Sequence, residues 1–311
     1  MGPWAVVTSP VSTTIVSCSP SCRSHGQTAA VYSHMKELIT ELKAKGKVMS
    51  LGLYPEVASQ LYLEDNGGKP VYLHLPCDQT MGLHTLKDGC WDLVKVHWTQ
   101  QALEGVSGEV AIIDVGANFG LTTRQLLADN DNIKLAFCYE PHPHHYGLMK
   151  CNIGGVRDVR LIPHGLAPQA GSVTMYREDS NFGNCSSNRS VASGDGDTVE
   201  VQLLSADSER AKWETWFPSG HFIYKSDTQG SDMSIATSIG PSFWARVKCA
   251  FFEVWSGGVD SFDEDALIRI LDHFPSKLFD SNHDKNLTSE EVLEWIKAPG
   301  KPKEADLLCK K

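Results

Sequence analysis

A short turn in the first half of the chain combines residue types that can bind a ligand. It lies in the segment IIDVGANFG, Ile112 to Gly120, and contains Asp114, Gly116 and Asn118. Gly116 can bend the backbone and approach a ligand without a Cβ in the way. A helix that begins near Gly120 would present free N–H groups to the same ligand. The pattern predicts a binding turn between a strand and a helix, and glycines that serve only packing are the alternative.

A carboxylate follows this turn at the end of the next apolar run. Glu140 lies in CYEP, twenty-four residues after Gly116, and Pro141 comes directly after it. A carboxylate at this place in a strand–helix–strand unit accepts hydrogen bonds from ribose hydroxyls. The turn and the carboxylate together predict a cofactor that contains a nucleoside.

The composition of the turn separates two classes of cofactor. A dinucleotide site would show GxGxxG with a helix N-terminus facing a pyrophosphate, whereas this turn is GxxxG with Asn118 in its middle. Asp114 would repel a pyrophosphate and suits a cation. S-adenosylmethionine has a sulfonium, an amino group and a ribose, and it has no phosphate. It is therefore the predicted cofactor, with Asp114 towards its methionine end, and a nicotinamide-dependent oxidoreductase is the alternative.

Four histidines lie close to the predicted site in sequence. His164 follows the third strand, where adenine is expected, and it would either line the base or pack at the strand end. His142, His144 and His145 crowd the start of a helix, where solvated positions near the adenosine rim are expected. A metal cluster is the alternative, but no carboxylate ligand accompanies these histidines and no metal is predicted.

The elements that must position these residues alternate from residue 110 onward. Strands are predicted in EVAIIDV, KLAFCYE, VRLIPHGLA, SVTMYRED, DTVEVQLLSAD, HFIYKSDT and the end of FWARVKCAFFEVW. Helices are predicted in GLTTRQLLADN, PHPHHYGLMKCNIGG and DEDALIRILDHF. This alternation predicts an α/β fold with a doubly wound parallel sheet. Ligands bind such sheets beyond the carboxyl ends of the strands, which is where the turn lies.

Four regions are predicted along the chain. Residues 1–27, rich in Ser, Thr, Pro and Cys, form a disordered lead. Residues 28–109 form an α/β extension with a helix over Ala29–Lys45, a strand in KPVYLHLP and a helix in CWDLVKVHWTQQALEG. Residues 110–275 are the core, and residues 276–311 are a C-terminal strand and helix extension. The extension at 28–109 and the polar loop at 181–197 are expected to shape the pocket for the acceptor, the second ligand.

Bulk composition limits the partners. The chain has 311 residues and a formal net charge of -10, so neither a nucleic-acid partner nor a membrane partner is predicted, because both rely on basic surfaces. Nine cysteines without metal-ligand spacing fit a reducing, cytoplasmic location. No apolar run has the length of a transmembrane helix. The oligomeric state is not predicted.

Beyond single residues, the sequence resembles a known family. The resemblance lies in several segments, in this order: IIDVGANFG with CYEP and Asn152, then LIPHGLA, then GSVTMYRED with NFGNCSSN, and finally FIYKSDTQGSDMSIATSI and AFFEVWS. These segments are similar to those of the FkbM-type methyltransferases. The resemblance covers about residues 70 to 275. It implies the Rossmann-like class I methyltransferase fold, whose mostly parallel sheet has seven strands with helices on both faces.

The resemblance also implies an activity. It is methyl transfer from S-adenosylmethionine to a hydroxyl, commonly of a sugar or natural product, so the expected partner is a small-molecule or glycan acceptor. Asp227 ends an apolar strand and is predicted to orient the acceptor or to act as its base, with a carboxylate that caps the next turn as the alternative. Gln229 departs from the family pattern, which commonly has glutamate there, and Asp232 replaces a second acid.

A late segment allows two interpretations. In DSNHDKNLTSEE, Asp280 to Glu291, the spacing matches an EF-hand calcium loop, but Lys285 stands where such loops need glycine. The alternative is a strand in SKLFDSN followed by a helix that Thr288 and Glu291 begin as a capping box. A calcium site would favour a third function, a methyltransferase fold used only as a binding module.

Overall fold

A computed structural model describes residues 37–38, 40–41, 48–53, 57–63, 70–76, 80–88, 91–156, 158–177, 181, 183–189, 191–192, 198–281 and 285–311. In chain order the strands are β1 Val48–Leu53, β2 Val57–Leu63, β3 Pro70–Pro76, β4 Val110–Val115, β5 Ile133–Tyr139, β6 Asp158–Ile162, β7 Gly165–Ala167, β8 Gly171–Arg177, β9 Cys185–Ser186, β10 Thr198–Ser205, β11 His221–Ser226, β12 Val247–Trp255, β13 Ser276–Phe279 and β14 Glu304–Lys310. The helices are α1 Met81–Asp88, α2 Leu93–Leu103, α3 Leu121–Asp129, α4 Pro143–Ile153, α5 Ala206–Trp216, α6 Asp232–Ser238, α7 Glu264–Leu271 and α8 Ser289–Lys297, with a 3-10 helix at Pro241–Arg246.

A seven-stranded sheet forms the centre of the protein. Its strand order is β13-β14-β12-β11-β4-β5-β6, and β14 alone runs antiparallel to its neighbours. The chain first winds outward through β4, β5 and β6, and it then returns to β11 on the other side of β4. This reversal places the topological switch point between β4 and β11, where open sheets of this kind bind ligands.

Both faces of the sheet are covered, which is why its central strands are apolar along their whole length. Every side chain of β4 is buried. Ala111 and Ile113 face a core formed with α5, α6, α7, α8 and the 3-10 helix, and Val110 and Ile112 face a second core formed with α2, α3 and α4. The predicted α/β Rossmann-like fold, doubly wound and mostly parallel with seven strands and helices on both faces, is confirmed.

The C-terminal boundary predicted at residue 275 is wrong. β13 and β14 belong to the central sheet, so the core continues to Lys310. The strand β14 was not predicted, because its sequence EADLLCK is short and follows a run rich in Pro, Gly and Lys. It inserts between β12 and β13, and its Leu307 and Leu308 are fully buried on opposite faces.

The calcium-loop interpretation of the late segment is also wrong. The segment before the loop is the strand β13, where an EF-hand needs a helix. Thr288 and Glu291 form the reciprocal capping box that begins α8. Lys277 N–H donates to the Asn286 side-chain oxygen at 2.7 Å, so that oxygen serves the fold. Two of the predicted ligands, Asn282 and Asp284, lie outside the described residues.

The remaining predictions for the elements have mixed outcomes. The third predicted strand, VRLIPHGLA, is split into β6 and β7, and β7 joins a separate four-stranded sheet of order β7-β10-β8-β9. The strand β3 and the helix α2 match the predictions, whereas β1 and β2, which complete an antiparallel sheet with β3, were missed. The lead at 1–27 lies outside the described residues, as does most of the predicted helix at 29–45. No helix in the described part of the chain is long and apolar enough to cross a bilayer.

The turns after β4 and β11 approach each other closely. The Asp227 N–H donates to the Val115 carbonyl at 3.0 Å. Gly116 has a φ of 75°, and a Cβ there would lie 2.0 Å from the Asp227 carbonyl oxygen. Only glycine fits this position, because both the conformation and the space exclude a side chain.

We therefore expect Gly116→Ala to lower the free energy of unfolding by about 2 kcal/mol or more. Gly147→Ala is the matched control, because Gly147 lies within α4 and a Cβ there meets nothing within 4 Å. That control should raise the free energy of unfolding by about 0.5 to 1 kcal/mol. Urea denaturation measures both values, and equal effects of the two substitutions would contradict the close approach.

Candidate functional site

Two cavities meet at the carboxyl ends of β4 and β11. The first encloses about 790 Å³ of empty space and the second about 1060 Å³, each including its opening to solvent. Gly116, Asn118, Gly183, Asp227 and Gln229 border both cavities. A ligand in the first cavity would therefore reach a ligand in the second at the two switch-point turns.

Glu140 is the principal polar group of the first cavity. Its carboxylate accepts the Asn118 N–H on Oε2 and the His142 N–H on Oε1, both at 2.8 Å. These bonds fix the side chain against the turn, and the remaining lone pairs can accept bonds from a ligand. Burial raises the pKa of Glu140 to about 7, although the two backbone donors oppose this shift. Glu140 is the residue predicted to contact the ribose, and that contact stays a prediction.

Much of the rest of the first cavity is apolar, and polar side chains such as Asp227 and Ser234 complete its wall. Its described lining contains no lysine or arginine. Pro141 lines it, with apolar side chains from β7, β8 and β10: Leu166, Val173, Met175 and Leu203. Such walls suit a flat base, and the lack of cations disfavours a pyrophosphate.

Asp114 lies beneath the site and not in its wall. The carboxylate is fully buried, and it accepts the Thr123 hydroxyl at 2.5 Å and the Lys225 ammonium at 2.9 Å. Lys225 also donates to the Gly116 carbonyl at 3.0 Å. Burial disfavours the charge of Lys225, but the Asp114 and Asp227 carboxylates outweigh it and raise the pKa of the ammonium. The geometry gives Asp114 an indirect role, through Lys225 and the turn, in place of the predicted contact with the cofactor.

Gly120 also has a role that the sequence did not reveal. A Cβ at this position would lie 3.0 Å from Ile153 and 3.1 Å from Met149, both on α4. Gly120 therefore permits the close packing of α3 on α4, and it lies in neither cavity lining. Its predicted role at the cofactor is not supported by this placement.

The histidines are placed differently from the prediction. His164 is half-buried and does not belong to the described lining of the first cavity. The residues after it, Gly165 to Pro168, do line that cavity. His145 lines the first cavity with its Nδ1 atom 3.7 Å from Glu140 Oε1. Burial lowers the pKa of His145 well below its ordinary value and so favours the neutral imidazole. His142 and His145 are buried, against the prediction of solvated positions, and the described residues contain no metal-ligating group of three or more.

Asp227 and Gln229 form the border between the cavities. The Asp227 side chain is 32% exposed, with one oxygen 3.9 Å from the Lys225 ammonium. Gln229 Nε2 donates to Asp227 Oδ1 at 3.3 Å and to Glu253 Oε1 at 2.6 Å. An amide is thus suited to this position, because a glutamate would place a third carboxylate between two others. Asp232, the first residue of α6, instead accepts hydrogen bonds from the Ser226 hydroxyl and the Thr228 N–H. These bonds connect the start of α6 to the end of β11.

The second cavity was largely missed by the sequence reasoning. Its wall includes Trp91, Asp92 and Lys95 from the region before α2 and its first turn, and Glu304 and Asp306 from β14. The expectation that the extension and the polar loop shape this pocket fits the wall, which also contains Asn181 and Gly183. No local signal marked β14, so its acids could not be connected with the site.

The pair formed by Lys225 and Asp114 should be necessary for the fold of the site. We expect Lys225→Met to lower the free energy of unfolding by about 3 to 5 kcal/mol, because Asp114 would stay buried without a counter-charge. Lys297→Met makes the same chemical change at a side chain that is 52% exposed, and its partner Glu264 is 48% exposed. That control should cost less than about 1 kcal/mol. Chemical denaturation of both variants measures the difference, and similar losses would argue against a structural role for the buried pair.

Comparisons with known proteins find weak structural similarity. No family model and no curated protein matches the sequence. Among solved structures, a SAM-dependent methyltransferase from Leishmania major aligns at 10% identity and a TM-score of 0.31, covering 70% of this chain and 72% of its own. A precorrin-6y C5,15-methyltransferase from Geobacter metallireducens aligns at 11% and 0.32, covering 72% and 92%. Spermidine synthase from Thermotoga maritima aligns at 12% and 0.32, covering 85% and 73%. Because these identities and TM-scores are low, an argument about function must come from the residues of the site.

Proposed function

We propose that the protein is an S-adenosylmethionine-dependent methyltransferase that transfers the methyl group to a hydroxyl of a small acceptor such as a sugar or natural product. The placement of Glu140 is the observation that carries this proposal. Its carboxylate is fixed by two backbone donors at the rim of a partly apolar cavity whose described lining has no lysine or arginine. This combination suits a nucleoside without phosphates. Membership of the FkbM-type family is part of the proposal.

The residues present fit such a cofactor. Glu140 would accept the ribose hydroxyls, and the apolar walls around Pro141 and Leu166 would hold the base. The methionine part would lie along the Gly116 turn, towards Asp227. When bound, the cofactor supplies an electrophilic methyl group on a positively charged sulfur.

Asp227 would carry the chemistry that the chain itself supplies. It borders both cavities, so a hydroxyl in the second cavity can approach it while the cofactor occupies the first. Its carboxylate would orient that hydroxyl and accept its proton as the oxygen–methyl bond forms and the methyl–sulfur bond breaks, with S-adenosylhomocysteine as the leaving group. Gln229 holds Asp227 from one side, and Lys225 lies on the other. Positioning of the two reactants would contribute most of the remaining acceleration.

Titration of the purified protein with S-adenosylhomocysteine tests the cofactor. We expect saturable binding in isothermal titration, and we expect Glu140→Ala to weaken it by at least about tenfold because hydrogen bonds to a charged group are lost. NADH, titrated in parallel, is expected not to bind. Binding of NADH alone would replace this proposal with an oxidoreductase, and binding of neither ligand would leave the methyltransferase reading without support.

The affinity for S-adenosylhomocysteine should depend on pH through Glu140. Its raised pKa of about 7 means that the unliganded carboxyl is mostly protonated at pH 6 and mostly ionised at pH 8. Because ribose hydroxyls donate to the ionised form, the affinity should be about tenfold lower at pH 6 than at pH 8. Glu140→Gln, which cannot ionise, should bind weakly with no such step. Equal affinities of the parent protein at the two pH values would contradict this role.

A substitution at Asp227 should affect methyl transfer without affecting cofactor binding. With an acceptor found in a screen of sugars and hydroxylated metabolites, Asp227→Asn should lower kcat by about 10²- to 10⁴-fold, because the base is lost. Its affinity for S-adenosylhomocysteine should change little. Radiolabelled methyl transfer and isothermal titration measure the two quantities. Unchanged kcat would assign Asp227 to the alternative role of capping the following turn.

A further inference from the structure

The second cavity carries more negative than positive side chains. Its described lining holds five carboxylates and two lysines: Asp92, Asp227, Glu253, Glu304 and Asp306, with Lys95 and Lys225. Both lysines are already engaged. Lys225 bonds Asp114 outside the cavity at 2.9 Å, and Lys95 lies 2.7 Å from Asp92 and 2.6 Å from Asp306. The cavity wall therefore has an excess of negative charge next to the predicted reaction centre.

Glu253 and Glu304 are the carboxyl groups of this wall that no cation balances. Neither forms an ion pair within the part of the chain that the structure describes. Glu253 is buried and accepts hydrogen bonds from Gln229 Nε2, at 2.6 Å, and Trp255 Nε1, at 3.1 Å, and its side chain is also hydrogen-bonded to that of Glu304. Burial, followed by repulsion from Asp227, raises the pKa of both glutamates. A cation in the cavity would relieve this repulsion and favour their ionised forms.

Two further features of the wall favour a ligand that is positively charged and donates hydrogen bonds. The Trp91 ring borders the cavity and is held edge-to-face against His84, at 5.6 Å between ring centres. The face of an indole attracts ammonium groups. At the border with the first cavity, the Asn118 Oδ1 atom is buried without a described partner, while its Nδ2 atom lies 3.5 Å from the Gly183 carbonyl. That oxygen needs a donor, and an ammonium group is one.

The cofactor of the proposed function does not supply enough positive charge. Its methionine part carries an ammonium and a carboxylate, which cancel, and the sulfonium adds a single positive charge. The cavity would still have more carboxylates than cations with the cofactor in place. The remaining charge must face the other reactant, which shares Asp227 with the cofactor.

We propose that the acceptor carries a protonated amine, as an amino sugar or an amino alcohol does, and that the wall formed by Asp92, Glu253, Glu304 and Trp91 binds this amine while a hydroxyl of the same molecule lies at Asp227. This inference rests on the proposed function, because it names the class of acceptor for that same site. It narrows the search from hydroxylated metabolites in general to those that carry a cationic nitrogen.

Matched pairs of small molecules test the proposal. The protein, saturated with S-adenosylhomocysteine, is titrated at pH 7 with glucosamine against N-acetylglucosamine, and with ethanolamine against N-acetylethanolamine. Each pair differs in the charge on nitrogen. We expect each amine to bind about tenfold or more tightly than its acetylated partner, because a charge-assisted hydrogen bond is worth that much.

A charge-matched pair of variants locates the binding. Glu304→Gln removes one carboxylate from the cavity wall, and it should reduce the preference for the amines by about fivefold to tenfold. Glu294→Gln makes the same change at an exposed position of α8 outside the cavity lining, and it should leave the preference unaltered. Equal effects of the two variants would show a general charge effect and would overturn the proposal.

The same titrations separate failure of this inference from failure of the proposed function. If S-adenosylhomocysteine binds but amines and acetylated partners bind equally, or none binds, the amine proposal is wrong and the methyltransferase proposal stands. If S-adenosylhomocysteine does not bind, the proposed function fails, and the amines are then titrated into the protein alone. A preference for amines that depends on Glu304 would still show a cation-binding cavity.

Discussion

The contact between the turns after β4 and β11 determines where everything else in the site lies. A peptide N–H from one turn meets the last carbonyl of the neighbouring strand, and Gly116 allows the two backbones to touch. Beneath them, the buried pair of Lys225 and Asp114 neutralises two charges that neither strand could bury alone. The charge that stabilises this junction is therefore also what orients Asp227 between the two cavities.

Much of the fold and part of the site followed from local sequence patterns. Apolar strands joined by helices predicted the doubly wound sheet, because a strand that is buried on both faces must be apolar throughout. The sequence also indicated Glu140, Gly116, Asn118 and Asp227, which border the cavities, because strand ends at a switch point converge. These inferences needed only the order of elements along the chain, and that order is visible in one sequence.

The parts that failed depend on contacts between distant segments. Nothing near Gly120 indicates that it packs against α4, and nothing near Asp114 indicates that Lys225, more than a hundred residues later, would occupy its carboxylate. Glycine and aspartate have the same local signature whether they meet a ligand or another part of the chain. The strand β14 was missed for a related reason, since its place in the sheet is decided by partners and not by its own short sequence.

The insertion of β14 between β12 and β13 has a consequence for synthesis. The ribosome synthesises β13 before β14, so β13 cannot join the sheet until β14 has been made. Until then one edge of β12 is unpaired. An open edge of an apolar strand invites pairing with another chain. The nascent protein therefore passes through an interval in which its central sheet is vulnerable to aggregation. That interval ends when residues 304–310 emerge, and the same seven residues bring Glu304 and Asp306 to the second cavity.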